Sequence, residues 1–271
     1  MKWIALIVLT ATINFISFSQ ESCAFYNNSA IDKYFEDDYE GALSDLDKCI
    51  ALNPNIGHHY LNRGNTKLKL NDFSGAIDDF QEAIDINPKD VNAYFNLGSA
   101  KLNQGMYEEA IADFSTVIEL DPKDKEAYYF RGLAQEQSDK TKKAFKDYTD
   151  AVGVDSKYND AHFKLGVSLL ESRDYEESIT HFSKVLKDNE NNVNVLFNIG
   201  IAKLGIGNFS GARTAFSRII EIDSENGDAY YQRGVANYDL GKDADACEDW
   251  ELARELGQDK ADPTIAKYCN R

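Results

Sequence analysis

The sequence predicts an all-α array of stacked helical hairpins, and three observations predict it. Asn53-Pro54, Asn87-Pro88 and Asp121-Pro122 recur at intervals of 34 residues. Aligned on them, the chain divides without insertion or deletion into seven blocks, 23–56, 57–90, 91–124, 125–158, 159–192, 193–226 and 227–260. Each half-block then spaces its apolar residues at i, i+3, i+4 and i+7, as in Ala110-Ile111-Phe114-Val117-Ile118, the period of a helix buried on one face. A fixed period of this length marks a repeat architecture whose units bury their apolar faces only by stacking.

Ahead of the blocks, residues 1–19 read as an address. Met1-Lys2 precedes an apolar run from Trp3 to Ile16, and Ser17-Phe18-Ser19 offers small residues for cleavage after Ser19. The run is shorter than the about 20 apolar residues that span a bilayer. Gln20-Glu21-Ser22 lacks the apolar residue expected three places ahead of a lipid-modified Cys23. The expectation is a signal peptide and a secreted or periplasmic chain with no membrane span after cleavage.

Within a block, three columns explain the hairpin. Position eight is small: Ala30, Gly64, Gly98, Gly132, Gly166, Gly200, Gly234. Position twenty is small too: Ala42, Ala76, Ala110, Ala144, Ser178, Ala212, Ala246. Position twenty-four is large: Leu46, Phe80, Phe114, Tyr148, Phe182, Phe216, Trp250. Small residues let two antiparallel helices approach, and bulky groups at four and twenty-four fill the wedge around the contact. Breakers such as Asn103-Gln104-Gly105 and Gly205-Ile206-Gly207 separate the helices. Asp90, Asp124, Asn192 and Asn226 stand where the next helix needs an N-cap. The tail 261–271 begins Asp262-Pro263, read as an N-cap followed by Pro at N1 of a short capping helix.

These residues resemble the tetratricopeptide repeat. The third block carries the pattern most fully, in Tyr94, Leu97, Gly98, Gly105, Tyr107, Ala110, Phe114 and Pro122, and the resemblance covers 23–260. Blocks four to seven depart from it by lacking Pro at position 32, and His162 replaces the usual aromatic residue. The resemblance implies a right-handed superhelical solenoid whose first helices line a concave groove. It also implies that a peptide is read from positions two, five, six, nine, twelve and thirteen. Here these offer an apolar stripe, Leu61, Phe95, Tyr129, Phe163, Phe197 and Tyr231, beside Asn62, Asn65, Asn96, Ser99, Phe130 and Asn198. Asn pairs with an extended backbone of any sequence, because it both donates and accepts. The stripe also reads as inter-repeat core. Lys and Arg from adjacent repeats, which hold a terminal carboxylate in chaperone-binding members, are replaced by Asn27, Leu61, Asn92 and Phe130, leaving Lys164 nearly alone. No such clamp is expected. Glu126, Glu136, Asp160, Glu171, Asp228 and Asp239 favour a neutral or basic partner.

Composition narrows the function. The 43% apolar and 12% aromatic content exceeds that of a disordered chain. With 46 acidic against 29 basic residues and a net charge of −17, the chain suits neither nucleic acid nor an anionic membrane. No phosphate-cradling loop, nucleophile elbow or His-Glu-x-x-His pair is present, and Gly205-x-Gly207 reads as a helix-connecting turn. His58 and His59 read as exposed polar residues without metal-ligand partners, and Glu177 with His181 as a pair across one helical turn. Neither metal, cofactor nor catalysis is expected.

Cysteine and arginine positions point to structure. Cys23, Cys49, Cys247 and Cys269 lie in the first and last units only. Four cysteines allow three pairings, and four buried thiols are the alternative. Helix ends favour Cys23–Cys49 and Cys247–Cys269, as suits an exported chain. Arg63, Arg131 and Arg233 at position seven accompany Asp79, Asp147 and Asp249 at position twenty-three, predicting an ion pair within each hairpin. Asp45 and Asp113 lack the Arg, while His181 and Ala215 replace the Asp. The function expected is a protein-binding adaptor, with a structural spacer as the alternative.

Overall fold

The structure, a computed structural model, describes residues 22–269, so the expected leader at 1–19 lies outside the described residues. Helix α1 covers 22–35. It is followed by α2 (Tyr39–Leu52), α3 (Gly57–Lys69), α4 (Phe73–Ile86), α5 (Val91–Asn103), α6 (Tyr107–Leu120) and α7 (Lys125–Gln137). Next come α8 (Thr141–Val154), α9 (Asn159–Glu171), α10 (Tyr175–Asp188) and α11 (Val193–Gly205). The chain closes with α12 (Phe209–Ile222), α13 (Gly227–Asp239), α14 (Asp243–Glu255) and α15 (Ala261–Tyr268). From α3 to α13 the odd-numbered helices start 34 residues apart, as do the even-numbered ones from α2 to α14, which is the spacing of seven repeats and a cap. Among the described residues there is no strand.

Two compact units divide the chain at Ala144 and Phe145, within α8. In the first, α2 to α7 pack each against the next. In the second, α9 to α15 do the same. Asp90, Asp124, Asn192 and Asn226 cap their helices as expected, each accepting from the backbone N–H three residues on. The cap expected of Asp262-Pro263 is not there. Lys260 already has near-helical angles, α15 begins at Ala261, and both residues sit inside its first turn. Pro263 is tolerated because an N–H in the first turn has no intrahelical partner to lose.

The small column at position eight does more than let helices approach. A Cβ on Gly64 would stand 2.5 Å from the Phe80 ring, on Gly166 2.7 Å from Phe182, and on Gly200 2.5 Å from Phe216. Gly234 meets Trp250 at 2.5 Å. In these four hairpins the large residue at position twenty-four is thus pressed onto bare backbone, and Phe80, Phe114, Phe182 and Phe216 are fully buried. Ser178 replaces Ala at position twenty without leaving a buried hydroxyl unpaired, because its Oγ donates to the Gly166 carbonyl at 2.7 Å.

The turn between the helices of each hairpin has a second fixed column. Position fifteen is left-handed in all seven repeats: Asp37, Asn71, Gly105, Asp139, Arg173, Gly207 and Gly241 have φ between 59° and 77°. Gly adopts this freely, Asn and Asp tolerate it, and Arg173 does not share their short polar side chain.

Two of the predicted ion pairs, those of Arg63 and Arg233, form as expected, with a partner that periodicity did not reveal. Arg63 meets Asp79 at 2.6 Å and Arg233 meets Asp249 at 2.6 Å. Each guanidinium lies over the Tyr at position four of its own helix, Tyr60 or Tyr230. Each also reaches the preceding repeat, Arg63 to Asp47, Arg131 to Ser115 and Arg233 to Ser217. The unforeseen partner is position eleven. Lys33 meets Asp45 at 2.5 Å, Lys67 meets Asp79 at 2.7 Å, Lys101 meets Asp113 at 2.7 Å, and Asn237 donates to Asp249 at 2.9 Å. Position eleven therefore answers the carboxylates that lack an Arg. Burial pushes the Asp45 carboxyl up, but hydrogen bonds from Lys33, Lys48 and Ser29 outweigh it and hold the group well below the usual range. At Asp113 burial prevails over Lys101 and raises it.

Two outcomes are expected. Arg173→Gly raises unfolding stability by about 1 kcal/mol in a urea titration, whereas Gly207→Ala lowers it by about 1 kcal/mol. Arg63→Met costs about 3 kcal/mol by leaving Asp79 to Lys67 alone, and adding Asp79→Leu together with Lys67→Met, so that no charge is orphaned, restores most of the loss. Added substitutions that deepened the loss instead would show that Arg63 acts by packing.

Candidate functional site

At the N-terminal end, Cys23 of α1 is joined to Cys49 of α2, 26 residues later. At the other end Cys247 of α14 is joined to Cys269, 22 residues later and just past α15. By loop entropy each contributes about 3 kcal/mol. His59 corrects the reading of the His58-His59 pair as exposed. His58 is exposed, but His59 is 4% exposed, with Nε2 3.2 Å from Cys23 Sγ and Nδ1 3.3 Å from Asn27 Oδ1. The partners judged missing come from α1 and α2 of the preceding repeat. Cys23, Cys49 and His59 bring their ligand-type atoms within 4.8 Å of one another. Both sulfurs are committed to the disulfide, and only a thiolate ligates metal, so the cluster is structural as it stands. Burial, helped by the His58 charge, pushes His59 down to about 4.

His181 is also corrected. It turns to His162 of the neighbouring helix rather than to Glu177, the two Nδ1 atoms standing 2.9 Å apart. His162 Nε2 lies 3.0 Å from the Ser156 carbonyl, which only accepts, so Nε2 carries a proton. In the neutral pair His162 Nδ1 therefore accepts, and His181 Nδ1–H donates. Burial lowers His162, with Lys184 opposing and Asp155 favouring its charge. Burial, then His162 and Lys184, lower His181 to about 4.

The residues expected to line a groove lie on the first helices, and all twelve are half-buried. In the first unit the Asn side chains already bond between repeats. Asn62 Nδ2 donates to Asn27 at 3.2 Å, and Asn96 Nδ2 donates to Asn65 at 2.8 Å. Each donor Asn keeps its carbonyl oxygen and one N–H for a ligand. Ser99 returns its hydroxyl to the Phe95 carbonyl. Phe95 packs edge-on against Phe114 and Phe130, whose rings stack, and Tyr129 stands edge-on to Phe130. Leu61 packs against the core around Phe80. The apolar stripe is therefore partly core.

The same holds in the second unit. Phe163 and Phe197 lie edge-on to Phe182 and Phe216. Tyr231 gives its hydroxyl to Thr264 of α15 and its carbonyl to Trp250 Nε1. Among the described residues Asn198 has no side-chain hydrogen bond.

The open part of the first-helix face was missed in the sequence. Between α1 and α3 lies a cavity of about 300 Å³, lined by Ile31, Tyr34, Phe35, Leu46, Asn62 and Asn65 among others. Phe35 is 80% exposed at its edge. Ile31, Tyr34 and Phe35 occupy positions nine, twelve and thirteen of the first block, so the signal was an apolar residue in each of those ligand-facing columns.

Comparison with known proteins agrees with the repeat geometry. One profile described as TPR repeat matches 64–105, and three described as Tetratricopeptide repeat match 91–124, 140–193 and 169–238. The chain belongs to the tetratricopeptide-repeat family. No curated protein matches it by sequence. Among solved structures it is similar to YrrB, described as a TPR protein with an unusual peptide-binding site, at 24% identity and TM-score 0.65 over 69% of this chain and 97% of that one. A tetratricopeptide repeat protein from Parabacteroides merdae is 18% identical, with TM-score 0.63 over 92% and 97%. The C-terminal part of a TPR repeat-containing protein from Cytophaga hutchinsonii is 17% identical, with TM-score 0.66 over 77% and 87%. These likenesses carry the fold. Tetratricopeptide repeats are in general non-enzymatic protein-interaction scaffolds, and the fold supports a protein-interaction adaptor.

The His pair predicts a pH dependence. His181 binds its proton near 4 when folded and near 6.5 when unfolded, so the unfolded chain holds more protons between these values. Stability is full above about pH 6.5 and falls as the pH drops toward 4. Melting temperature is expected to decline from pH 7 to pH 5, and to decline less in His181→Asn. Equal slopes would show that the pair is not the group titrating.

Proposed function

We propose that the protein is an exported adaptor that binds an extended segment of another protein along its first-helix face. The observation that carries this reading is the cavity between α1 and α3, where apolar Ile31, Tyr34 and Phe35 stand beside the amides of Asn62 and Asn65. A side chain of the partner enters the cavity, and its backbone pairs with the open valences of the Asn residues, which discriminate little between sequences. Acidic residues along this face select a neutral or basic segment. Two disulfides suit an oxidising compartment such as the periplasm or the outside of the cell, in keeping with the signal peptide read at 1–19. Among the described residues no helix is long and apolar enough to cross a membrane.

The test is photo-crosslinking in the native cells from a probe replacing Phe35, which is exposed, whereas the Phe95 ring is committed to packing. A discrete protein adduct is expected, and Asn62→Ala with Asn96→Ala should abolish it while leaving helicity intact. An adduct indifferent to both substitutions would remove the Asn residues from the reading, and no adduct would overturn the groove.

A further inference from the structure

The sixth repeat breaks the ion-pair pattern and opens a cleft there. Its position seven is Ile199 instead of Arg and its position twenty-three is Ala215 instead of Asp, yet position eleven keeps Lys203. Elsewhere that Lys reaches the Asp, as Lys67 reaches Asp79 and Lys101 reaches Asp113. Lys203 is half-buried, and among the described residues it has no carboxylate partner. Where guanidinium and carboxylate would have stood, a cleft of about 600 Å³ lies between second helices α10 and α12, with α11 as its floor. Its floor includes Leu196, Ile199 and Ala215, each 4–6% exposed. Its rim carries Lys187, Lys203 and Arg218 against Glu190. Arg218 is answered by Glu221 at 2.9 Å and Asn191 at 2.8 Å, which leaves Lys187 and Lys203 against the lone carboxylate of Glu190, a positive surplus.

We propose that this cleft is a second docking site, for a protein segment that presents an apolar side chain flanked by carboxylates. The apolar floor calls for a buried side chain, and the unanswered ammonium beside it calls for an anion. A half-buried charge without a counterion is costly, and a partner's carboxylate lowers that cost on binding. A net charge of −17 disfavours a nucleic acid or an anionic bilayer as the source of that anion, because both bring long-range negative charge, whereas a short segment brings only its own. The first-helix face, with its acidic residues, prefers the opposite ligand. The two faces thus take segments of different charge, and the adaptor can hold two partners together.

The experiment uses fluorescence anisotropy with the full mature chain and a fluorescein-labelled peptide, Asp-Glu-Leu-Phe-Glu-Asp. Controls replace its acids by Asn and Gln, or its Leu-Phe by Ser-Ser. Saturable binding of the acidic apolar peptide is expected, weaker by about tenfold or more for either control. Lys203→Glu should weaken it similarly, and Ile199→Arg with Ala215→Asp should abolish it by rebuilding the ion pair inside the cleft. Asn62→Ala with Asn96→Ala and Asn198→Ala should leave it unchanged, which separates this site from the first-helix face. Absence of saturable binding overturns the proposal, as does equal affinity for the amide peptide or for Lys203→Glu. If the double substitution fails to fold, Lys203→Glu decides alone, because its side chain is half-exposed.

Discussion

A ring set against a glycine with no side chain of its own is the contact on which the hairpins of this protein depend. At Gly64 and Phe80, or Gly200 and Phe216, there is no room for even a methyl group between them. Close packing of this kind fixes how near the two helices come, and so where every other column meets its partner. The first hairpin keeps the logic with smaller volumes, Ala30 facing Leu46 in one buried cluster. With the spacing set there, position seven reaches position twenty-three, position eleven reaches the same carboxylate, and position six reaches the preceding repeat.

Much of this was legible because the repeat turns three-dimensional neighbours into columns. Position eight against twenty-four, the N-caps at Asp90 and Asn226, and Arg63 with Asp79 were visible without coordinates. The failures share a cause. His59 finds Cys23 in another repeat, 36 residues back, and His181 finds His162 on the first helix of its own hairpin. Periodicity shows which face a residue occupies and leaves open how deep it lies or which polar atom waits across the interface. The same limit applied to the groove. Phe95 and Phe197 are on the expected face, yet their rings are largely held by Phe114 and Phe216. The cavity instead falls between the first helices of the first two blocks, beside Ile31, Tyr34 and Phe35.

Electrostatics varies along the chain more than the fold does. Asp45, Asp79, Asp113 and Asp249 are buried carboxylates with cationic or amide donors from their own hairpin. Repeat five replaces this arrangement by two neutral imidazoles, and repeat six by an alanine and an isoleucine. A buried pair that loses one member is strongly destabilising, whereas replacing both members is nearly free. Ile199 with Ala215 follows the second course, and only Lys203 remains from the first.

The two disulfides change how such a chain gives way. In a linear array the end units have one neighbour each, so unzipping ordinarily starts at a terminus and runs inward. Here Cys23–Cys49 and Cys247–Cys269 close both terminal units covalently. A covalent link inside a unit leaves its interface with the next repeat as it was, so a terminal unit that comes away does so with its helices still joined. Fraying at either end is thereby limited to undocking, because the detached unit keeps its helices tied together.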